Sequence, residues 1–136
     1  MSDTGTPEVG TIGWIDLTVN DAGPVRDFYR EVVGWKVGAV DMDGYQDFTM
    51  STAVKEQMVA GVCHARGSNA AIPPVWLIYI TVADVDRSAE QVQRMGGKVR
   101  IPPRSMGGMG RFCLIEDPAG AVSALFEPAR PKSPGA

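Results

Sequence analysis

The sequence has little histidine, little cysteine, no surplus of positive charge and no long apolar run. Its 136 residues include one His and two Cys, with 13 Lys+Arg against 16 Asp+Glu for a net charge of -3. Without a basic excess there is little to neutralise phosphates, which argues against a nucleic-acid partner and against polybasic attachment to a membrane. Two cysteines, Cys63 and Cys113, cannot build a disulfide framework, and each sits in an apolar stretch as a small buried thiol would. The longest apolar run, Val75 to Ile80, is far too short to span a bilayer. The first ten residues show no charged-then-apolar leader pattern, so the expected location is cytoplasmic. The glycine-rich stretch Ser105–Gly110 leads into a strand and not a helix, which excludes a phosphate loop.

Apolar residues make up 44% of the chain and charged residues 21%, the balance of a globular domain. Residues 1–8 and 128–136 are expected to be loose tails, the second carrying three prolines and no core-forming side chain. Residues 9–127 form one expected domain made of two modules, about 9–66 and 74–127.

An internal repeat defines those modules. At an offset of 63, Trp14–Asp21 (WIDLTVND) lies over Leu77–Asp84 (LIYITVAD), with Ile15/Ile78, Thr18/Thr81, Val19/Val82 and Asp21/Asp84 identical. Gly34 lies over Gly97, and Gly61-Val62 over Ala124-Leu125. Each copy opens with a strand of alternating faces. A helix follows, capped by Asn20 or Asp21 in the first copy and starting after Asp84 in the second. Val25, Phe28, Tyr29, Val32 and Val33 are spaced as one buried helical face, and Gly34 ends the helix. The second helix presents Val85, Ala89, Val92 and Met95, then stops at Gly96-Gly97. Three strand-like runs complete each copy: 35–40, 45–51 and 57–64, then 98–101, 111–116 and 121–126. Asp43-Gly44 and Asp117–Gly120 are turns. The order is βαβββ, twice, an α+β arrangement.

Val19-Asn-Asp21 followed by Asp27–Trp35 (DFYREVVGW), and Thr81–Asp84, Gly96–Val99 and Asp117-Pro-Ala-Gly120 in the second copy, resemble the vicinal oxygen chelate superfamily of glyoxalases, bleomycin-resistance proteins and dioxygenases. Pro102-Pro103, Gly110–Phe112 and Gly120–Val122 resemble, within it, a branch of tandem antigen-type proteins designated hydroxylases. The resemblance implies two βαβββ modules forming a curled mixed sheet around a cleft, with helices on the outer face. It also implies a divalent metal held from the first and last strands of each module. Carried over residue by residue, those four places are Trp14, Gly61, Leu77 and Ala124. None offers a lone pair to a metal. No cofactor is therefore expected. A Cys63–Asp16 pair is the conceivable remnant of a metal site, while alternation turns His64, three residues from Gly61, to the other face.

Alternation also predicts the lining of the cleft. Trp14, Asp16 and Thr18 point in from one first strand, and Leu77, Tyr79 and Thr81 from the other. Phe48 and Met50 are expected from the first copy, Phe112 and Leu114 as the matching pair of the second. Met109 sits at the loop mouth, and Cys63 and Phe126 complete the last strands. Such a lining suits a hydrophobic or aromatic small molecule, unless Trp14 and Leu77 merely fill the hollow. The expected function is metal-free binding of that molecule. The alternative is a metal-independent enzyme in which Asp16 and Tyr79, with Cys63 as a further candidate, move protons or drive isomerisation or cyclisation. A metal-dependent lyase or dioxygenase is the reading that the four places oppose. Arg111 could hold an anionic ligand group, or pair with Asp16, its direction being open. The resemblance to tandem proteins further implies a homodimer.

Overall fold

Secondary structure in the computed structural model, which describes residues 7–129, follows the repeat. The elements are β1 (Ile12–Val19), α1 (Ala22–Val33), β2 (Lys36–Asp41), β3 (Gln46–Ser51), β4 (Met58–His64), β5 (Trp76–Thr81), α2 (Val85–Arg94), β6 (Lys98–Ser105), β7 (Gly110–Glu116) and β8 (Val122–Pro128). The fold is α+β, with βαβββ occurring twice. Most of the two expected tails lies outside the described residues; of the second, Pro128 closes β8. No helix among the described residues is long and apolar enough to cross a membrane.

The chain divides into two compact units, Trp14–Leu77 and the remainder. Strand order is β2-β3-β4-β1 in the first and β5-β8-β7-β6 in the second. In each, the first and last strands of the module pair parallel and the other neighbours antiparallel. A parallel pair needs a crossover, and the helix supplies it. The register repeats as well. Asp16 lies opposite Gly61 and Thr18 opposite Cys63; Tyr79 lies opposite Ala124 and Thr81 opposite Phe126.

The two helices bury different amounts of their expected faces. In α1, Ala22 is buried and Val25 and Tyr29 pack on a core of Phe48, Met50, Ala60 and Val62. Phe28, Val32 and Val33 of the predicted face are 56%, 65% and 53% exposed, so the buried stripe is narrower than the apolar spacing suggested. In α2, Val85 and Ala89 are buried and Val92 packs on Cys113, Ile115 and Leu125, whereas Met95 is exposed. Fully burying a valine or leucine is worth about 1.5–3 kcal/mol, so a few such contacts suffice to seat each helix. The Asp84 carboxylate accepts the Arg87 N–H and caps α2; Asp21 occupies the corresponding place on α1 without a side-chain cap bond.

The aligned glycines do different work. Gly34 takes φ 86° and closes α1, its N–H donating to the Arg30 carbonyl. Gly97 has an ordinary φ but no room: a Cβ there would lie 2.5 Å from the Glu116 carbonyl oxygen and 2.9 Å from Val92. In Asp117–Gly120, the Asp117 side chain accepts the N–H groups of Ala119 and Ala121, which holds the turn before β8.

β6 is the element that departs most from expectation. It runs through Pro102-Pro103 to Ser105 instead of stopping at Ile101. Proline donates no ladder bond, so it is tolerated on an edge strand or at a bulge. β6 is last in its unit's strand order, and its pairing with β7 shifts between Val99 and Ile101 and again between Ile101 and Arg104.

Candidate functional site

Cross-strand register sorts the side chains into faces. In the unit Trp14–Leu77, β3, β4 and β1 bring Thr49, Gly61 and Asp16 abreast. Cys63 and Thr18 form the next rung. A Cβ on Gly61 would lie 3.3 Å from the Asp16 Cβ, 3.3 Å from Cζ2 of Trp14 and 3.7 Å from the Cys63 Sγ. The structure therefore brings Trp14, Asp16, Gly61 and Cys63 together on one face. The Trp14 indole lies over Gly61, so one ring occupies the space in front of two of the places where the family resemblance calls for metal ligands.

Asp47, which sequence reasoning missed, belongs to the same neighbourhood. It is 7% exposed, and its Oδ1 accepts the His64 backbone N–H at 2.8 Å. Burial pushes the Cys63 thiol far up; the charges of Asp16 and Asp47 and a hydrogen bond to Asp47 push it further. At neutral pH Cys63 is a thiol, unsuited to nucleophilic attack. His64 is half-buried on the opposite face from Gly61, as alternation predicted. Its ring packs against Tyr45 and Phe48, with Nδ1 3.4 Å from Asp47 Oδ1.

Phe48 and Met50 are not on the face with Gly61. Both are in the core beneath α1. Phe48 to Phe112 spans 64 positions, whereas the residues holding equivalent rungs, Thr49 opposite Gly61 and Leu114 opposite Ala124, are 65 apart. A slip of one residue turns a strand side chain to the other face.

In the second unit the same register yields two complete rows. The first is Ile101–Leu114–Ala124–Tyr79 and the second Arg104–Phe112–Phe126–Thr81, each read across β6, β7, β8 and β5. The first row is packed: Leu114 and Ala124 are 0% exposed and Tyr79 7%. In the second, Phe112 and Thr81 are buried, while Arg104 and Phe126 at positions one and three are half-buried. Tyr79 and Phe112 rings are 6.3 Å apart. Met109 is exposed in the loop before β7. Leu77, on β5, is fully buried, consistent with a place filled by bulk.

Arg111 points the other way from Phe112. Its guanidinium takes both carboxylate oxygens of Asp86 on α2, which lowers the Asp86 pKa and raises that of Arg111. A surface groove of about 720 Å³ runs along α2 between Val9, Arg87, Met95 and Asp117; another, about 510 Å³, flanks α1 at Phe28, Tyr29 and Trp76. Neither is lined by Asp16, Cys63, Tyr79, Phe112 or Phe126.

The residues present do not fit a catalytic metal. Indole, glycine, isobutyl and methyl groups stand at the four places, and among the described residues no group of three or more His, Cys, Asp or Glu could hold an ion.

The family description Glyoxalase/Bleomycin resistance protein/Dioxygenase superfamily matches residues 11–124. CFP32 of Mycobacterium tuberculosis, a protein named as a glyoxylase, is 32% identical over 130 residues, covering 89% of this chain and 47% of that protein. The anthracycline biosynthesis protein DnrV of Streptomyces peucetius is 27% identical over 129 residues, covering 86% of this chain and 46% of that protein. The chain thus spans about half the length of these relatives. Among solved structures, a Streptomyces coelicolor methylmalonyl-CoA epimerase superposes with a TM-score of 0.56 at 21% identity, covering 93% of this chain and all of that one. The Mn(II)-bound glyoxalase of Novosphingobium aromaticivorans gives 0.54 at 19% identity, covering 92% of this chain and 42% of that one. At these identities the structures speak to fold alone. By the extent of the family match, the chain belongs to the glyoxalase/bleomycin resistance protein/dioxygenase superfamily.

Proposed function

We propose that this protein binds a hydrophobic, aromatic small molecule without help from a transition metal, at the row formed by Phe112 and Phe126. The observation that carries the reading is the chemistry of the four ligand places: an indole, a glycine, a leucine and an alanine can bound a ligand but cannot coordinate an ion. The aromatic row adds to it, since ring faces bury large apolar area at small entropic cost. The name of one relative, an anthracycline biosynthesis protein, points the same way. Anthracyclines are planar polycyclic aromatics, and a flat ring system could stack on the half-buried Phe126, beside the buried rings of Phe112 and Tyr79. Native mass spectrometry of the purified protein with a panel of planar aromatics tests the reading. A saturable one-to-one complex that survives chelator treatment is expected. Stoichiometric manganese, nickel, zinc or iron required for binding or turnover would overturn it.

A second reading is metal-independent catalysis by Asp16 and Tyr79. What favours it is their equivalence: both occupy the same rung of their module, opposite Gly61 and Ala124. A carboxylate and a phenol at such places are suited to proton transfer. Asp16→Asn separates the two, since it would abolish turnover and leave affinity for the aromatic nearly unchanged. The protein is further proposed to act as a homodimer; the exposed Phe28, Val32 and Val33 on α1 support that assignment.

A further inference from the structure

We propose that the groove beside α2 is a second binding site, and that it takes a small amphiphilic cation, an apolar ring system carrying an amine. The site goes beyond the binding reading above and shares none of its residues. The groove holds about 720 Å³, the size of a small-molecule pocket. Ile115 and Leu125 of the core under α2 line it, with Val82 and Val92 packed on them. Val9 and Met95 line it too and are 59% and 72% exposed. An apolar ligand would take these side chains out of water together.

Charge selects the occupant. Asp84, Glu116 and Asp117 line the groove against one guanidinium, that of Arg87. A cleft dominated by one sign of charge over apolar walls concentrates counter-ions. Each carboxylate makes a protein contact through one oxygen. Asp84 Oδ1 accepts the Arg87 N–H, Asp117 Oδ1 accepts those of Ala119 and Ala121, and Glu116 Oε2 lies 3.6 Å from Arg100 Nη1. A carboxylate has roughly four lone-pair sites, so all three retain acceptors for an ammonium. The repeat supplies the control. The groove flanking α1 is the equivalent place: its lining positions 19, 24, 25, 28 and 29 are each 63 before 82, 87, 88, 91 and 92 of the α2 groove. None of the described residues lining it is charged. The acidic lining is therefore a property of the second module and not of the fold.

Equilibrium dialysis of the whole chain against 9-aminoacridine, a cation at pH 8, and the uncharged acridine of the same skeleton tests this. The cation should bind saturably and more tightly than acridine, and added salt should weaken it alone. The triple variant Asp84→Asn, Glu116→Gln, Asp117→Asn removes the charges and keeps the cap and the turn, since asparagine serves in both. It should raise the Kd of the cation about tenfold and leave that of acridine within about twofold. Met95→Lys sets a like charge beside the groove; it should also weaken the cation and leave the sedimentation coefficient unchanged. Phe126→Ala should leave the cation's affinity as it was. Should the triple variant not fold, the salt dependence and Met95→Lys decide. Failure of 9-aminoacridine to saturate, or the same Kd in the unaltered protein and the groove variants, would overturn the site. If Phe126→Ala alone weakens the cation, it sits on the aromatic row, and this inference fails while the binding reading stands. If Met95→Lys changes the sedimentation coefficient, the groove is an interface between copies of this chain and the inference fails.

Discussion

The two units share one register and differ in what that register carries. Opposite the last strand, one has Asp16 over Gly61 and Thr18 over Cys63; the other has Tyr79 over Ala124 and Thr81 over Phe126. One face became polar and crowded around a glycine, the other apolar and layered. Duplication preserved the backbone hydrogen bonding, which depends on main-chain groups, and left the side chains free to diverge. The chemistry at each rung is therefore local to its unit, and each unit can be broken separately.

The largest effect is expected at Leu114, fully buried between Ile101 and Ala124. Leu114→Ala should cost about 2–5 kcal/mol. Thr49 holds the same rung opposite Gly61, and Thr49→Ala should cost under about 1 kcal/mol. Urea unfolding midpoints measure both. Equal losses would erase the distinction between a packed row and a polar one.

Gly61 comes next. A Cβ there meets Trp14, Asp16 and Cys63 at 3.3–3.7 Å, so Gly61→Leu must displace the indole, at about 1–3 kcal/mol. Trp14→Ala should restore part of that loss in the double variant. Simple additivity would mean that the indole does not fill the space in front of Gly61.

How much of this was legible in the sequence divides along the same line. Local signals gave the helix start at Asp84, the Gly34 stop and the Asp117–Gly120 turn, because each depends on a few adjacent residues. The 63-residue offset gave the two βαβββ modules, and the ligand places implied by the family resemblance, with strand alternation, pointed to Trp14 with Asp16 and to Gly61 with Cys63. It did not give Asp47 or place Phe48 and Met50. The middle strands sit two positions further apart than the outer ones, and a face assignment fails on an error of one. Arg104 was hidden because β6 runs on through two prolines, which read as the end of a strand. The exposed half of the α1 stripe was invisible for another reason: periodicity tells which residues share a face, not how much of it is covered.

The two cysteines sharpen the comparison by pH. Burial raises the Cys113 thiol to about 11, with a smaller contribution from the charge of Asp86. Cys63 is raised further, by burial and then by Asp16 and Asp47. A thiol whose pKa is higher folded than unfolded binds its proton more tightly in the native state. The unfolded chain then loses protons first, and stability falls as pH rises. Stability should thus be insensitive to these thiols below pH 9 and decline from there through 11. Cys113→Ala should flatten the first part of that decline. In native protein at pH 8, iodoacetamide should label Cys63 slowly, and Asp47→Asn should speed it. Rapid labelling of the unaltered protein would show that Cys63 is a reactive thiolate and revive it as a catalytic group.

The smallest effect on folding, and a decisive one for assembly, is expected on the helices. Val32 of α1 and Met95 after α2 are equivalent by the repeat, and they are 65% and 72% exposed. Around Val32 the exposed surface continues through Phe28 and Val33. The residues at the same offset near Met95 are Gln91 and Gly96. The exposed apolar strip on α1 has no counterpart at the same offset on α2, so the proposed homodimer should use α1. Val32→Lys should change the unfolding midpoint by no more than about 0.5 kcal/mol and shift the sedimentation coefficient from dimer to monomer. Met95→Lys should change neither. A dimer that survives Val32→Lys and Phe28→Ser together would move the interface away from α1 and leave its exposed valines as ordinary surface.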